Sequence, residues 1–274
     1  MFRSLCDKYI KTALGTFKVS TRTGDVLLVF LNGNGPYDTA QIFDPIIRKL
    51  PNKVGILAID YLDSGLSSHS LRPFTLPEEA KLIAKIIQSQ QAKQVILVVH
   101  SLGGFYALVI AQNIQNLMGF IGIEPTTKEI LLNPPDNAAY NRDIKEDAEI
   151  TEEEINHLMY ERIYKSFTKD LADKIWTVGT ECEKNSKNFT KPHGLDLSLN
   201  ILNADSFSSL KLKESIAVIL IIRDYRVKEY ERSEYYTEKT TIVTLGNNHY
   251  IHLEFPDQIN VAIQNLLKEI QPYS

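Results

Sequence analysis

A serine and a histidine stand where they could make and break an acyl bond. Ser101 follows the apolar run Val95 to Val99 after one residue, His100, and the chain then turns through Leu102-Gly103-Gly104 into an apolar helical stretch. A hydroxyl raised on a sharp bend between a buried strand and a helix is open to a substrate. The helix N-terminus beneath it favours the negative charge that develops during attack on a carbonyl. Such a bend needs small neighbours, and Gly103 supplies one two positions after the serine. A serine in that place would also serve as a plain helix N-cap, so the partners decide its meaning. An imidazole titrates near neutrality, at about pH 6.5 when unperturbed, and can therefore take and return the proton. His249 lies on the loop after the last apolar run, Thr241 to Leu245. His252, three residues on and nearer the terminal helix, is better suited to packing. An acid must hold the imidazole in one tautomer and stabilise the imidazolium. Two carboxylates at strand ends are candidates, Asp224 just after the run Ile216 to Ile222 and Glu124 at the end of Gly119 to Ile123. Asp224 could also be a surface partner of Arg223 or Arg226, a pairing of little energetic weight.

These residues are useful only on a frame that brings loop ends together. The apolar runs Val26–Leu31, Val54–Ile59, Val95–Val99, Gly119–Ile123, Ile216–Ile222 and Thr241–Leu245 are near-continuous, as expected of parallel strands covered on both faces. Ahead of them, Lys8–Thr12 and Thr16–Ser20 read as a strand pair with Leu14-Gly15 as the turn. Between the runs lie amphipathic stretches. Ala40–Leu50 puts Ile42, Phe43, Ile46, Ile47 and Leu50 on one helical face, and Thr75-Leu76-Pro77-Glu78 is a capping box before Leu82, Ile83, Ile86 and Ile87. Alternating strand and helix predicts a parallel sheet with right-handed crossovers. Between Ile123 and Ile216 the alternation stops. Thr151–Glu154 is a second capping box, with Ile155, Leu158, Met159 and Ile163 at helical spacing after it, and Leu195–Ala204 reads as a further short helix. This predicts a helical insertion over the carboxyl edge of the sheet, where open α/β sheets bind ligands. The acidic cluster from Asp143 to Glu154 reads as a solvated loop and helix start.

The bulk properties narrow the classes of function. A net charge of −4 and the lack of a basic, aromatic-interleaved stripe speak against a nucleic-acid partner. Cys6 and Cys182, the two cysteines, are far apart and have no metal-like spacing, which favours a reducing compartment. No apolar run approaches the roughly 18 residues of a membrane span, and Met1–Thr12 has no signal-peptide core. The expectation is a cytoplasmic protein acting on a small molecule; the oligomeric state stays open.

Three further segments, with the serine bend, resemble the α/β-hydrolase family. Val95 to Ala107 resembles its nucleophile elbow, although Val99 stands where the family usually has glycine. Phe30-Leu31-Asn32-Gly33-Asn34-Gly35-Pro36 resembles its oxyanion loop, with Asn32 in place of the usual histidine. Asp60-Tyr61-Leu62-Asp63-Ser64-Gly65-Leu66-Ser67 resembles a structural loop near the active site, for which no catalytic role is expected. Leu245 to Asp257 resembles the stretch carrying the catalytic histidine, with Leu253-Glu254 placed to favour His249 over His252. The resemblance implies a mostly parallel eight-stranded sheet with helices on both faces and a helical cap. The core would be 1–124 with 206–274, and the cap would be 125–205. It also implies the chain order Ser101, Asp224, His249, oxyanion donors at the amides of Asn34 and Leu102, and no metal or organic cofactor. Tyr140, Tyr160, Tyr164, Phe167 and Trp176 are the candidate pocket lining. The implied activity is hydrolysis of an ester or related acyl bond. Peptidase-like relatives, carbon–carbon bond hydrolases and a slow small-ligand binder of the same fold are the alternatives; dehalogenases and epoxide hydrolases, with aspartate at the elbow, are disfavoured by Ser101.

Overall fold

Each apolar run is a strand because its alternate residues serve two different cores. The computed structural model describes residues 4–132, 151–186 and 209–270. Its strands are β1 (Cys6–Lys11), β2 (Thr16–Arg22), β3 (Val26–Leu31), β4 (Gly55–Ile59), β5 (Gln94–His100), β6 (Leu117–Ile123), β7 (Ala217–Ile222) and β8 (Thr240–Thr244). They form one eight-stranded sheet in the order β1-β2-β4-β3-β5-β6-β7-β8. β2 is antiparallel to β1 and to β4, and the pairings from β4 to β8 are parallel. On β3, Leu27, Val29 and Leu31 enter one apolar cluster while Val26, Leu28 and Phe30 enter the other; on β5, Val95, Leu97 and Val99 separate in the same way from Ile96 and Val98. Continuous apolarity is the signature of a strand buried on both faces.

Helices cover the two faces. α1 (Thr39–Ile42) and α2 (Asp44–Ile47) follow β3, α3 (Leu76–Ser89) follows β4, and α4 (Gly103–Asn113) follows β5. Thr75 and Glu78 make both halves of the expected capping box at α3, satisfying two N–H groups that the helix cannot use itself. Ala40–Leu50, expected as one helix, is two. Pro45 lies in the first turn of α2, and a proline lacks the N–H that a continuous helix would donate to the carbonyl of residue 41.

Among the described residues, the long interval between β6 and β7 is helical. It contains α5 (Lys128–Leu132), α6 (Glu152–Ser166) and α7 (Lys169–Ser186). The second capping box, Thr151 with Glu154, opens α6 as expected. Leu195–Ala204, Tyr140 and the start of the acidic cluster lie outside the described residues. Met159, Ile163, Phe167, Ala172 and Ile175 join the cluster on one face of the sheet, so α6 and α7 share the core of the main body. After β7 come a 3-10 turn (Asp224–Arg226) and α8 (Val227–Tyr230), and after β8 come α9 (Ile251–Glu254) and α10 (Pro256–Ile270). No described helix is long and apolar enough to cross a membrane.

Candidate active site

The elbow is strained, and its neighbours show what holds it. Ser101 has φ +50°, a left-handed conformation that costs a non-glycine residue on the order of 1–3 kcal/mol. The bend is fixed by hydrogen bonds from Ser101 N–H to the Ile123 carbonyl (3.2 Å), and from the Gly104 and Thr126 N–H groups to the Ser101 carbonyl (3.0 and 2.9 Å). A methyl group at Gly103 would lie 2.8 Å from the carbonyl oxygens of both Leu31 and Asn32, so only glycine lets α4 start this close to the end of β3. Val99, where a glycine is usual, is accommodated: its registered neighbour on β6 is Gly122, which contributes no side chain on that face.

β8 delivers the imidazole. The chain turns at Gly246 (φ +70°), and Asn248 accepts the Tyr250 N–H through its side-chain oxygen at 2.7 Å. Between them, the His249 carbonyl accepts a hydrogen bond from His100 Nε2 at 3.0 Å, and the two rings lie 4.6 Å apart. This bond ties the histidine loop to the residue next to Ser101. A carbonyl can only accept, so His100 carries its proton on Nε2. Burial, with His252 and His249 nearby, holds His100 well below the usual histidine range and keeps it neutral.

The carboxylate beside His249 belongs to Glu124, not to Asp224. Glu124 is fully buried at the end of β6 and, like Ser101, has positive φ, at +47°. Its Oε2 lies 3.6 Å from His249 Nδ1. Its Oε1 accepts the main-chain N–H of Arg223 at 2.7 Å, and Oε2 accepts from Arg223 Nε (3.2 Å), Arg223 Nη2 (3.0 Å) and Arg226 Nη1. Burial pushes the carboxyl up, but Arg226, the His249 contact and Arg223 outweigh it and hold the group well below the usual carboxylate range. Asp224 is exposed, and its side chain accepts the adjacent Tyr225 N–H at 2.7 Å. The physical reason is local. The chain turns into a 3-10 helix immediately after Arg223, so the aspartate opens that turn and accepts the next N–H while the arginine before it reaches back to β6.

The expected oxyanion donors border the elbow. Asn32 uses its own side-chain oxygen to accept the Gly33 N–H at 2.8 Å. Among the described residues, the N–H groups of Asn34 and Leu102 donate to no protein acceptor. A methyl group at Gly33 would lie 3.0 Å from Ser101 Cβ, which places this loop against Ser101. The Asp60–Ser67 loop supports it from outside. Tyr61 donates to the Asn32 carbonyl (2.9 Å), Ser64 to the Gly35 carbonyl (2.5 Å) and Gly65 N–H to the Pro36 carbonyl (3.2 Å). Asp60 in turn accepts the N–H groups of Thr39 and Leu66.

Next to these loops is a cavity of about 150 Å³ lined by Asn34, Tyr37, His100, Met159, Glu183 and Tyr250, among others. The rings facing it are those of Tyr37 and Tyr250, with the imidazoles of His100 and His252. Of the expected lining, Tyr160 packs on Tyr164 and Trp176 instead, and Phe167 is core. His252 is buried and stacked on Phe43, and burial with the neighbouring His249 lowers it to about 3; it is a neutral packing group. In the sequence Glu124 is legible as the alternative acid at the end of the β6 run, whereas Arg223 and Arg226 are legible only as charges around Asp224. No group of three or more His, Cys, Asp or Glu side chains among the described residues is arranged to hold a metal ion.

Comparison with known proteins is consistent across the chain. The model of the alpha/beta hydrolase family matches residues 28–262. A protein from Danio rerio named serine hydrolase-like protein is 22% identical over 87% of this chain and 81% of its own length. The crystal structure of Smu.1393c from Streptococcus mutans superposes with a TM-score of 0.85 at 27% identity, covering 97% of this chain and 98% of the other. A haloalkane dehalogenase loop variant from Bradyrhizobium elkanii superposes at 0.70 with 13% identity, covering 98% of each chain. That last likeness concerns the fold alone.

Proposed function

Because the chain belongs to the alpha/beta hydrolase family, a family of many chemistries on one frame, we propose that it is a serine hydrolase that cleaves an ester or related acyl bond of a small molecule. The observation that carries this reading is the pair of strained residues on adjacent strand ends, Ser101 and Glu124. The His249 carbonyl is tied to His100, the residue before Ser101, and its Nδ1 lies 3.6 Å from Glu124. Strained backbone of this kind persists where the surroundings over-determine it, and it clusters at active sites.

In the proposed reaction Ser101 Oγ attacks the acyl carbon as His249 Nε2 accepts its proton. The oxyanion accepts hydrogen bonds from the Asn34 and Leu102 amides. The imidazolium then gives the proton to the leaving oxygen, the acyl group stays on Ser101, and water repeats the sequence to release the acid. Glu124, ionised throughout, stabilises the imidazolium.

A fluorophosphonate probe tests the reading without knowledge of the substrate. Covalent labelling is expected at Ser101, abolished in Ser101→Ala and reduced at least a hundredfold in His249→Ala. A folded protein that neither labels nor cleaves short-chain aryl esters would instead be a ligand-binding member of the fold.

A further inference from the structure

Glu124 owes its setting to one short stretch of chain. Arg223 is the first residue after β7, and Arg226 ends the 3-10 turn that follows. Oε1 is taken by the Arg223 main-chain N–H, while Oε2 is shared by two guanidinium groups and faces the imidazole. The clamp is itself held. Glu229 accepts from Arg226 Nε (2.9 Å) and Nη2 (2.7 Å), Thr127 donates to Glu229, and the Tyr230 ring lies 4.8 Å from the Arg226 guanidinium. Glu124, Arg226, Glu229, Thr127 and Tyr230 are buried, and Arg223 is exposed only at its rim. The two carboxylates and two guanidinium groups cancel in charge, which lets four ionised groups remain out of water.

We propose that Arg223 and Arg226 are positioning residues of the acyl-transfer machinery, fixing the Glu124 oxygen that faces His249 and tempering its charge there. The proposal rests on the reading of Ser101, His249 and Glu124 as a working triad. A lone buried carboxylate would attract the imidazolium strongly and hold His249 in the protonated form, useless as a base. With two guanidinium groups on the same oxygen, that attraction is opposed by repulsion. The clamp also explains why a residue with positive φ can hold the carboxylate: the left-handed turn at Glu124 aims it toward the end of β7, where three donors of Arg223 meet it.

The test is the pH dependence of fluorophosphonate labelling, measured from about pH 5 to 9 around the imidazole's range. Arg223→Gln keeps the main-chain N–H and removes one cation. Its labelling should fall away on the acid side about one pH unit higher than in the wild type, because the protonated imidazole now persists to higher pH. Arg223→Lys keeps the cation and loses the two-pronged contact, so its acid limb should stay in place while the plateau rate falls several-fold. Arg226→Met combined with Glu229→Met removes a matched pair of buried charges and should repeat the upward shift; it decides the matter if Arg223→Gln does not fold. Unmoved acid limbs in folded variants, or an unchanged plateau in Arg223→Lys, overturn the proposal. Wild-type protein that labels at Ser101 in a His249-dependent way would then leave the triad standing and sink only the clamp. Wild-type protein that does not label sinks both.

Discussion

The carboxyl ends of β6 and β7 are neighbours, both carry an acid, and they treat it in opposite ways. Glu124 follows β6 directly, is out of contact with water, and is surrounded by guanidinium and amide donors. Asp224 follows β7 after one intervening arginine and lies exposed at the surface, accepting the N–H of the next residue. A single residue of offset separates them. Arg223 stands first after β7 and turns inward, so the aspartate behind it turns outward. The lesson is that which carboxylate comes to face the imidazole depends less on which strand bears it than on which strand end also supplies the groups that hold it.

Substitution of the two acids is the most direct way to break this contrast. Glu124→Gln should slow Ser101 labelling and any ester turnover by about 10⁴-fold, the scale expected when a triad acid is lost. Asp224→Asn should leave both within a few-fold of the wild type. The reverse ordering would return the role to Asp224. The same pair should differ in stability. Glu124→Gln leaves two buried guanidinium groups short of a charge and should cost about 3–5 kcal/mol, whereas Asp224→Asn, at an exposed site, should change stability by no more than about 0.5 kcal/mol. Denaturant melts of the two variants measure this.

A third carboxylate sharpens the comparison. Glu79 on α3 is also fully buried, yet among the described residues it accepts only from neutral donors, the Tyr106 hydroxyl and the Leu62 N–H. Burial raises it to about 7, against the opposing effect of those two hydrogen bonds. Between about pH 4.3, where a free glutamate ionises, and pH 7, the unfolded chain has lost this proton and the folded chain retains it. Stability contributed by Glu79 is therefore present below that window and declines as pH rises through it. Glu79→Gln should flatten the decline, as read from thermal melts across the window; an unchanged slope would place the dependence elsewhere. Glu124 has the opposite sign, its contribution being lost as pH falls below the unfolded value. The smallest effect is expected at the second histidine. His252→Ala should lower labelling by less than tenfold, since the ring is neutral and packs on Phe43.

Much of this was legible because it depends on local order. The strand runs are apolar for a reason internal to each strand, and both capping boxes announce themselves in four residues. Ser101 followed by Leu102-Gly103 marks a bend whose glycine is required by two carbonyl oxygens. The loops at Asn32–Pro36 and Gly246–His249 were legible through their resemblance to the corresponding segments of the alpha/beta hydrolase family. The sequence by itself therefore determined the alternating frame, the place of the bend and the two loops that converge on it. What only the tertiary structure decided is which charges are buried together. Glu124 and Arg226 are 102 positions apart in the chain, and Glu124 and His249 are farther still; nothing in the spacing of such residues records that their strand ends meet. A carboxylate's role follows from desolvation and from the cations around it. Both arise only when the sheet has set β6, β7 and β8 side by side.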